Sequence, residues 1–524
     1  MLTKKFGAKE LYFFGFLVLV TGLPLSKFFI GLSSFILFAA WLWSGDFLHK
    51  IQLWYQNKFL WLFTGIFALH LLALFYTRDF DYALNDLRIK LPLFVLPMLI
   101  ASGPILEKKH FLSILWVFIW ANFIGTLASM FVLLGFSNIE IHEIRNISLF
   151  TSHIRFGLLI CFSIFILGYF FSTEKQKYTA LQKIMILFLM LWFVIFLVIM
   201  ESITGISVLV ITTLILLLYH LYFQREKKYK ILFTLLFVGL SLGVYFYINH
   251  AVVEYYKINQ SKSGTLALQT KYGNLYEHTP ESNEYENGNQ IWIYVCKPEL
   301  KAAWAERSSI AYDANDRRGQ LLLNTLVRFL ASKGLKKDRD GVEQLSHQEI
   351  QSIENGIANV NYQGISNLNG RIHQIIWEYD HYKKGGDPSG HSVVQRFEYW
   401  KTAYKIVSKN PWIGVGTGNV EQAFLQEYYE SKSPLSMRWR LRSHNQYLTF
   451  AVAFGLIGAA YFLFVMFYAL FSKNQYKEYL FSVFWIMMML SMLSEDTLET
   501  QAGVSFFAFF YSLFMFKNNR FHFD

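Results

Sequence analysis

Arg442-Ser443-His444-Asn445-Gln446-Tyr447-Leu448, running on through Gly455 and Gly458 to Ala459, decides how the chain is read. Polar and titratable residues stand directly before an apolar run near 447–471, long enough to cross a bilayer. A long water-soluble segment therefore re-enters a membrane here. His444 and Gly455 are eleven residues apart, about three helical turns, so one continuous helix carries both on one face. Gly458 lies one turn further on. The expectation is a histidine above a glycine-lined stripe that another helix or a lipid chain can approach.

Outward from this stretch the same pattern repeats. Apolar runs lie near 11–24, 28–45, 59–76, 91–103, 111–135, 155–171, 184–200, 204–223, 231–249, 447–471, 479–494 and 500–516. They predict an all-α polytopic membrane protein of about twelve transmembrane helices. Composition agrees: only 16% of the 524 residues are charged, against roughly 25% in soluble domains. With the N-terminus in the cytoplasm, the lysine-rich loops at 50–58, 108–109, 175–183, 225–230 and 473–477 fall inside, as do both termini. The turn Glu495-Asp496-Thr497-Leu498-Glu499 and the segment 250–446 fall outside. The expected division is 1–249, a bundle of about nine helices; 250–446, a large, mainly helical external loop domain; and 447–524, about three more helices.

The net charge of +11 is read as cytoplasmic loop lysines, not as a nucleic-acid surface. The first apolar run lacks a small-residue cleavage site, so no cleavable signal peptide is expected. Cys161 lies in an apolar run and Cys296 in the external segment, which leaves neither a disulfide framework nor a cysteine metal site. In the external segment, Glu286-Asn287-Gly288-Asn289 predicts a hairpin turn and Ile291–Cys296 a strand. Helices are expected over Gly319–Ser332, after the capping box Ser346–Glu349, over Val393–Val407 and over Asn419–Tyr429. Thr77–Lys90 reads as a polar connection.

Four features carry candidate chemistry. His444 stands at a helix start beside Arg438, Arg440 and Arg442; such cations keep an imidazole neutral, as a base must be. A lone interfacial histidine with an ordinary hydrogen bond is the competing reading. Arg396 shares a helix face with Trp400 and Ala403, and Arg155 opens an apolar run from the outside. Guanidinium groups grip phosphate bidentately, although single arginines near a membrane also snorkel to headgroups. Gly414-Val415-Gly416-Thr417-Gly418 lacks the lysine of a phosphate loop and reads as a tight turn. Glu495, Asp496 and Glu499 are read as a solvated turn in preference to a cation site shared with His444.

Taken together, Arg396-x3-Trp400-x2-Ala403, Asn410-Pro411-Trp412-Ile413-Gly414-Val415-Gly416-Thr417-Gly418 and His444-Asn445-x9-Gly455-x2-Gly458 resemble the O-antigen ligase and polymerase superfamily. The resemblance implies a GT-C-like, metal-independent glycosyltransferase without cofactor, in a bacterial inner membrane with its site facing the periplasm. The donor implied is an undecaprenyl-diphosphate-linked glycan and the acceptor a lipid A-core sugar, with membrane lipids around both. His444 is the implied base and Arg396 the implied diphosphate ligand. Asn445 and Arg442 flank the histidine as further substrate contacts, and Gly414, Gly416, Gly418, Gly455 and Gly458 are structural. Such ligases carry a second arginine in a Ser-Arg pair at the outer start of a span. Here the matching turn reads Ser202-Ile203-Thr204-Gly205, and Arg155 is the expected substitute for the cation missing at Ile203. An O-antigen polymerase or a protein-glycosylating relative shares these features. A lipid-linked glycan transporter would place its charges at mid-membrane, and a non-catalytic scaffold would tolerate loss of His444.

Overall fold

A computed structural model of the chain describes residues 7–137, 144–173, 178–224, 226–259, 266–363 and 368–522. Lys175, Lys177 and Arg225 of the expected cytoplasmic loops lie outside them. Helix dominates, and the strands are two-residue pairs: Leu106–Glu107 with Phe521–His522, and Tyr285–Glu286 with Asn289–Gln290.

Among the described residues, eight helices are long and apolar enough to cross a membrane: Ala8–Leu25, Lys58–Tyr76, Lys108–Leu133, His153–Ser172, Ala180–Ile199, Ile203–Phe223, Lys227–Tyr256 and Gln446–Phe471. A ninth candidate is the pair Lys27–Trp43 and Phe47–Gln56, bent by 113°. The bend falls where Gly45 and Asp46 adopt left-handed φ of 63° and 53°. Three expected spans are shorter helices: Pro92–Ser102, Tyr479–Ser491 and Gln501–Met515. At 1.5 Å per residue, each falls short of a roughly 30 Å hydrocarbon layer. Gln501–Met515 is buried almost throughout its length. Phe510 meets Phe118 and Phe162 at ring separations of 5.0 and 4.9 Å, the dense packing that holds apolar helices together where lipid removes the hydrophobic drive. The Thr77–Lys90 connection contains a helix, Phe80–Lys90, capped by Asp79, which accepts from the Tyr82 N–H.

The chain forms two compact units, one from residues 1–224 and 385–524 and the other Arg225–Lys384. These boundaries differ from the expected 249 and 446. Residues 385–446 pack with the apolar helices because their backbone hydrogen bonds close onto Gln446–Phe471, as described below. Within the first unit, elements expected inside meet at one end: Lys9 pairs with Glu107 at 3.3 Å, Lys517 with Glu478 at 3.2 Å, and Arg520 donates to the Gly103 carbonyl. Elements expected outside meet at the other, where Lys90, Arg155, Ser202, the Gly414–Gly418 turn, His444 and Glu495–Glu499 gather.

The second unit has its own core, built around Trp304, Leu326, Phe329, Leu330 and Ile353. The hairpin at Glu286–Asn289 forms, with Asn287 and Gly288 at φ of 48° and 80°. Ile291–Cys296 is not a strand: Tyr294 sits at φ 57°, and only isolated bridges at Val295 remain. The helix expected from Gly319 starts at Leu322, because Asp316 accepts from the Arg318 and Gln320 N–H groups and holds a turn there. It ends at Gly334, whose φ of 71° suits a C-terminal glycine. The Ser346–Glu349 capping box is present. Lys297–Ala305 and Leu368–Lys383 are helices that sequence patterning passed over.

Candidate active site

The glycine motifs meet each other. The helix Val394–Lys409 ends at Asn410-Pro411, where proline lacks the N–H a helix needs. The chain then runs across Gln446–Phe471, and that helix breaks to receive it. Gly455 has φ 65° and ψ −170° inside the helix. Val415 and Gly416 donate to the carbonyls of Val452 and Ala453, each at 2.9 Å; Leu456 donates to Pro411 O at 2.7 Å and Ile457 to Trp412 O at 3.4 Å. Backbone groups freed by the break in this apolar helix thus find partners in the crossing stretch of chain. A Cβ on Gly455 would lie 2.2 Å from the Trp412 carbonyl, and one on Gly414 2.5 Å from Ala453 C. The stripe expected above Gly455 is therefore filled by the chain's own backbone, and the helix is not continuous there. Gly458 tucks beneath Phe454, 2.2 Å from its Cβ if substituted. Gly418 closes on the Asp79 carbonyl, and Asn419 accepts from the Arg78 N–H at 2.9 Å, so the glycine-rich turn is a packing device.

This crossing fixes the start of the histidine helix. Asn445 is its N-cap: its side-chain oxygen accepts from Leu448 N–H at 3.1 Å and its Nδ2 donates to Leu493 O at 2.9 Å. The carboxamide, expected as a substrate contact, is engaged by protein at both ends. His444 precedes it with φ 48°, and its backbone N–H donates to Asp496 Oδ2 at 3.0 Å. Asp496 also accepts from Thr449 Oγ1 at 2.7 Å. Trp400 Nε1 donates to Ser443 O at 3.1 Å, and the Tyr399 ring lies 5.5 Å from the imidazole. Neither imidazole nitrogen has a hydrogen-bond partner among the described residues. Burial pulls the His444 pKa below its ordinary value; Asp496 opposes this, while Arg396, Arg155 and Arg442 reinforce it. Of the three arginines expected to act on His444, only Arg442 does. Arg440 donates to Leu435 O and Arg438 lies over Trp439.

Arg396 Nη2 lies 3.2 Å from Glu495 Oε1, and its Nη1 donates to Ser392 O at 2.9 Å. Among the described residues its buried Nε finds no acceptor, nor does the Nε of Arg155. Arg155 opens the helix His153–Thr173 two residues before Gly157, where a Cβ would lie 2.4 Å from Ser202 Oγ. The start of the Arg155 helix therefore packs on the turn that carries Ile203.

The acidic turn is not solvated. Glu495 and Asp496 are buried, and Glu499 sits 2.8 Å from Lys90 Nζ, paired also with Arg442 and reached by Gln446 Nε2 at 3.3 Å. Each carboxylate has an internal cation or N–H partner, which is what permits burial. Burial pushes Glu495 up to about 7, with Asp496 adding to it and Arg396 and Arg155 restraining it. For Glu499 burial acts upward too, but Lys90 and Arg442 outweigh it and hold the carboxyl well below the usual range. Arg442 is thus committed to Glu499 and to the face of Tyr82, 5.3 Å away. Lys90, only 2% exposed and paired with Asp86 as well, was not foreseen; its i,i+4 spacing from Asp86 was the one signal. Lys90, Arg442, Glu499 and His70 line a cavity of about 10 Å³, room for one water. No group of three His, Cys, Asp or Glu side chains gathers to hold a metal ion among the described residues.

No curated protein matches the chain significantly. Residues 356–463 match the O-antigen ligase family model. The match covers about a fifth of the chain and includes the Arg396 helix, the glycine crossing, His444 and the broken helix. Over that stretch the chain is similar to O-antigen ligases, and its long apolar helices are those of a multi-pass membrane protein.

Proposed function

We propose that the chain is an inverting, metal-independent glycosyltransferase that moves a glycan from undecaprenyl diphosphate to a lipid A-core sugar. Its site faces the periplasm, and its long apolar helices hold it in the inner membrane. One observation carries the reading: the buried His444 imidazole, without a hydrogen-bond partner among the described residues, feels the charges of Arg396 and Arg155, whose Nε groups lack acceptors among the same residues. His444 takes the proton of the acceptor hydroxyl as its oxygen attacks the anomeric carbon. The bond from that carbon to the diphosphate breaks, and the charge leaves on a diphosphate held by Arg396 and Arg155. Direct displacement inverts the anomeric centre. Arg155 serves where relatives of this kind place a cation at the position of Ile203; the Gly157–Ser202 contact supports the exchange. Because Glu495, Asp496 and Glu499 are engaged by protein cations and N–H groups, neutralising the leaving group falls to arginine. Asn445 caps the helix that His444 precedes, and Arg442 is held by Glu499.

The surface glycolipids of a strain carrying His444→Ala test this. Short, uncapped cores support a ligase. Cores bearing a single repeat unit indicate a polymerase instead, and a wild-type profile removes His444 from the chemistry.

A further inference from the structure

We propose that Glu495 is a further substrate-binding residue, meeting the donor diphosphate as a neutral carboxylic acid whose proton arrives from solvent as the donor binds. This rests on reading Arg396 and Arg155 as the diphosphate clamp. Without donor, Glu495 Oε1 lies 3.2 Å from Arg396 Nη2 and so occupies part of the fork that phosphate oxygens would use. The Glu495 side chain is 11% exposed. The charged groups facing it are Arg396 from its own helix, Arg155 from the helix His153–Thr173, and Asp496 on the same turn. His444, beside Asp496, completes the set.

A diphosphate entering this fork withdraws Arg396 from Glu495 and adds negative charge beside it. Both changes favour the acid over the carboxylate. The starting point is close: burial and Asp496 already bring the carboxyl to about 7. Once protonated, Glu495 becomes an O–H donor aimed at the anion that an ionised carboxylate would repel. Above pH 7 up to one proton is taken up per donor bound and returned when the lipid diphosphate leaves, so no other reactant is needed.

The test is binding of inorganic pyrophosphate to the full-length protein in detergent, by titration calorimetry from pH 6.5 to 8.5, for wild type, Glu495→Gln and Arg396→Ala. Glutamine mimics the neutral acid at every pH. Glu495→Gln is therefore expected to bind within about twofold of wild type at pH 6.5 and about thirtyfold tighter at pH 8.5, following the fraction of competent acid. The ligand's own titration is common to both proteins and cancels. Equal pH slopes, or weaker binding by Glu495→Gln throughout, overturn the role of Glu495. Failure of wild type to bind pyrophosphate, or unchanged binding by Arg396→Ala, overturns the clamp itself. Should Glu495→Gln not fold, wild-type heats in two buffers of different ionisation enthalpy decide: proton uptake beyond that of pyrophosphate is expected, and none overturns the inference.

Discussion

Replacing Gly455 by alanine strikes the contact on which the site is built. A Cβ there would lie 2.2 Å from the Trp412 carbonyl carbon and oxygen and 2.5 Å from the Ile413 nitrogen, backbone atoms that cannot rotate aside. The φ of 65° with ψ −170° belongs to a region that is nearly glycine-only and costs other residues roughly 1–3 kcal/mol. Prising the crossing apart adds an overpacking cost of roughly 1–3 kcal/mol. The Leu456–Pro411 and Ile457–Trp412 hydrogen bonds weaken with it, at roughly 0.5–1.5 kcal/mol each. The total is about 3–9 kcal/mol, a large share of a typical domain's stability. Thermal unfolding in detergent, with glycan transfer measured alongside, reads the effect. Gly239→Ala is the control, since nothing lies within 4 Å of its added Cβ; it should sit within about 0.5 kcal/mol of wild type. Gly414→Ala should resemble Gly455→Ala, and the double variant should cost less than the sum, because both break one interface. Wild-type unfolding and transfer by Gly455→Ala would refute the backbone crossing.

Other consequences follow from the buried charges. Glu499→Gln leaves Lys90 and Arg442 together without their shared anion and should lower stability by roughly 3–5 kcal/mol in the same unfolding assay; a change under about 0.5 kcal/mol would be that of an exposed pair. Arg155→Ala should weaken donor binding, and adding Ile203→Arg should restore part of it, because Gly157 packs on Ser202; no rescue would separate the two positions. The active form of His444 is neutral and its pKa is depressed, so the acid limb of kcat/KM against pH should lie below the ordinary histidine value of about 6.5. Asp496→Asn removes the anion that opposes the depression and should move the limb lower still; an upward shift would contradict the electrostatics.

Local signals carried much of this structure. The Asn410-Pro411 stop, the Asn287-Gly288 hairpin turn and the Ser346 capping box depend on neighbours a few residues away, and they stand as read. Gly455 was legible as a place where something approaches closely and Gly414 as part of a tight turn, but not as partners of each other, because helical periodicity assumes an unbroken helix. The acidic turn misled for the same reason. Lys90 lies 409 residues from Glu499, and Arg396 lies 99 from Glu495; a run of carboxylates looks solvated until the cations that bury it are placed. The motif spacing that groups His444 with Arg396 was legible in the sequence, whereas the adjacency of Arg155 to the Ile203 turn required the fold.

Glycan transfer by purified protein from a lipid-diphosphate donor to a lipid A-core acceptor, run in chelator with wild type and His444→Ala, bears most directly on the mechanism. The expected result is full wild-type transfer in chelator and none by His444→Ala, with donor binding intact in both. Transfer lost on chelation, or retained without His444, would contradict a histidine base working with arginines alone.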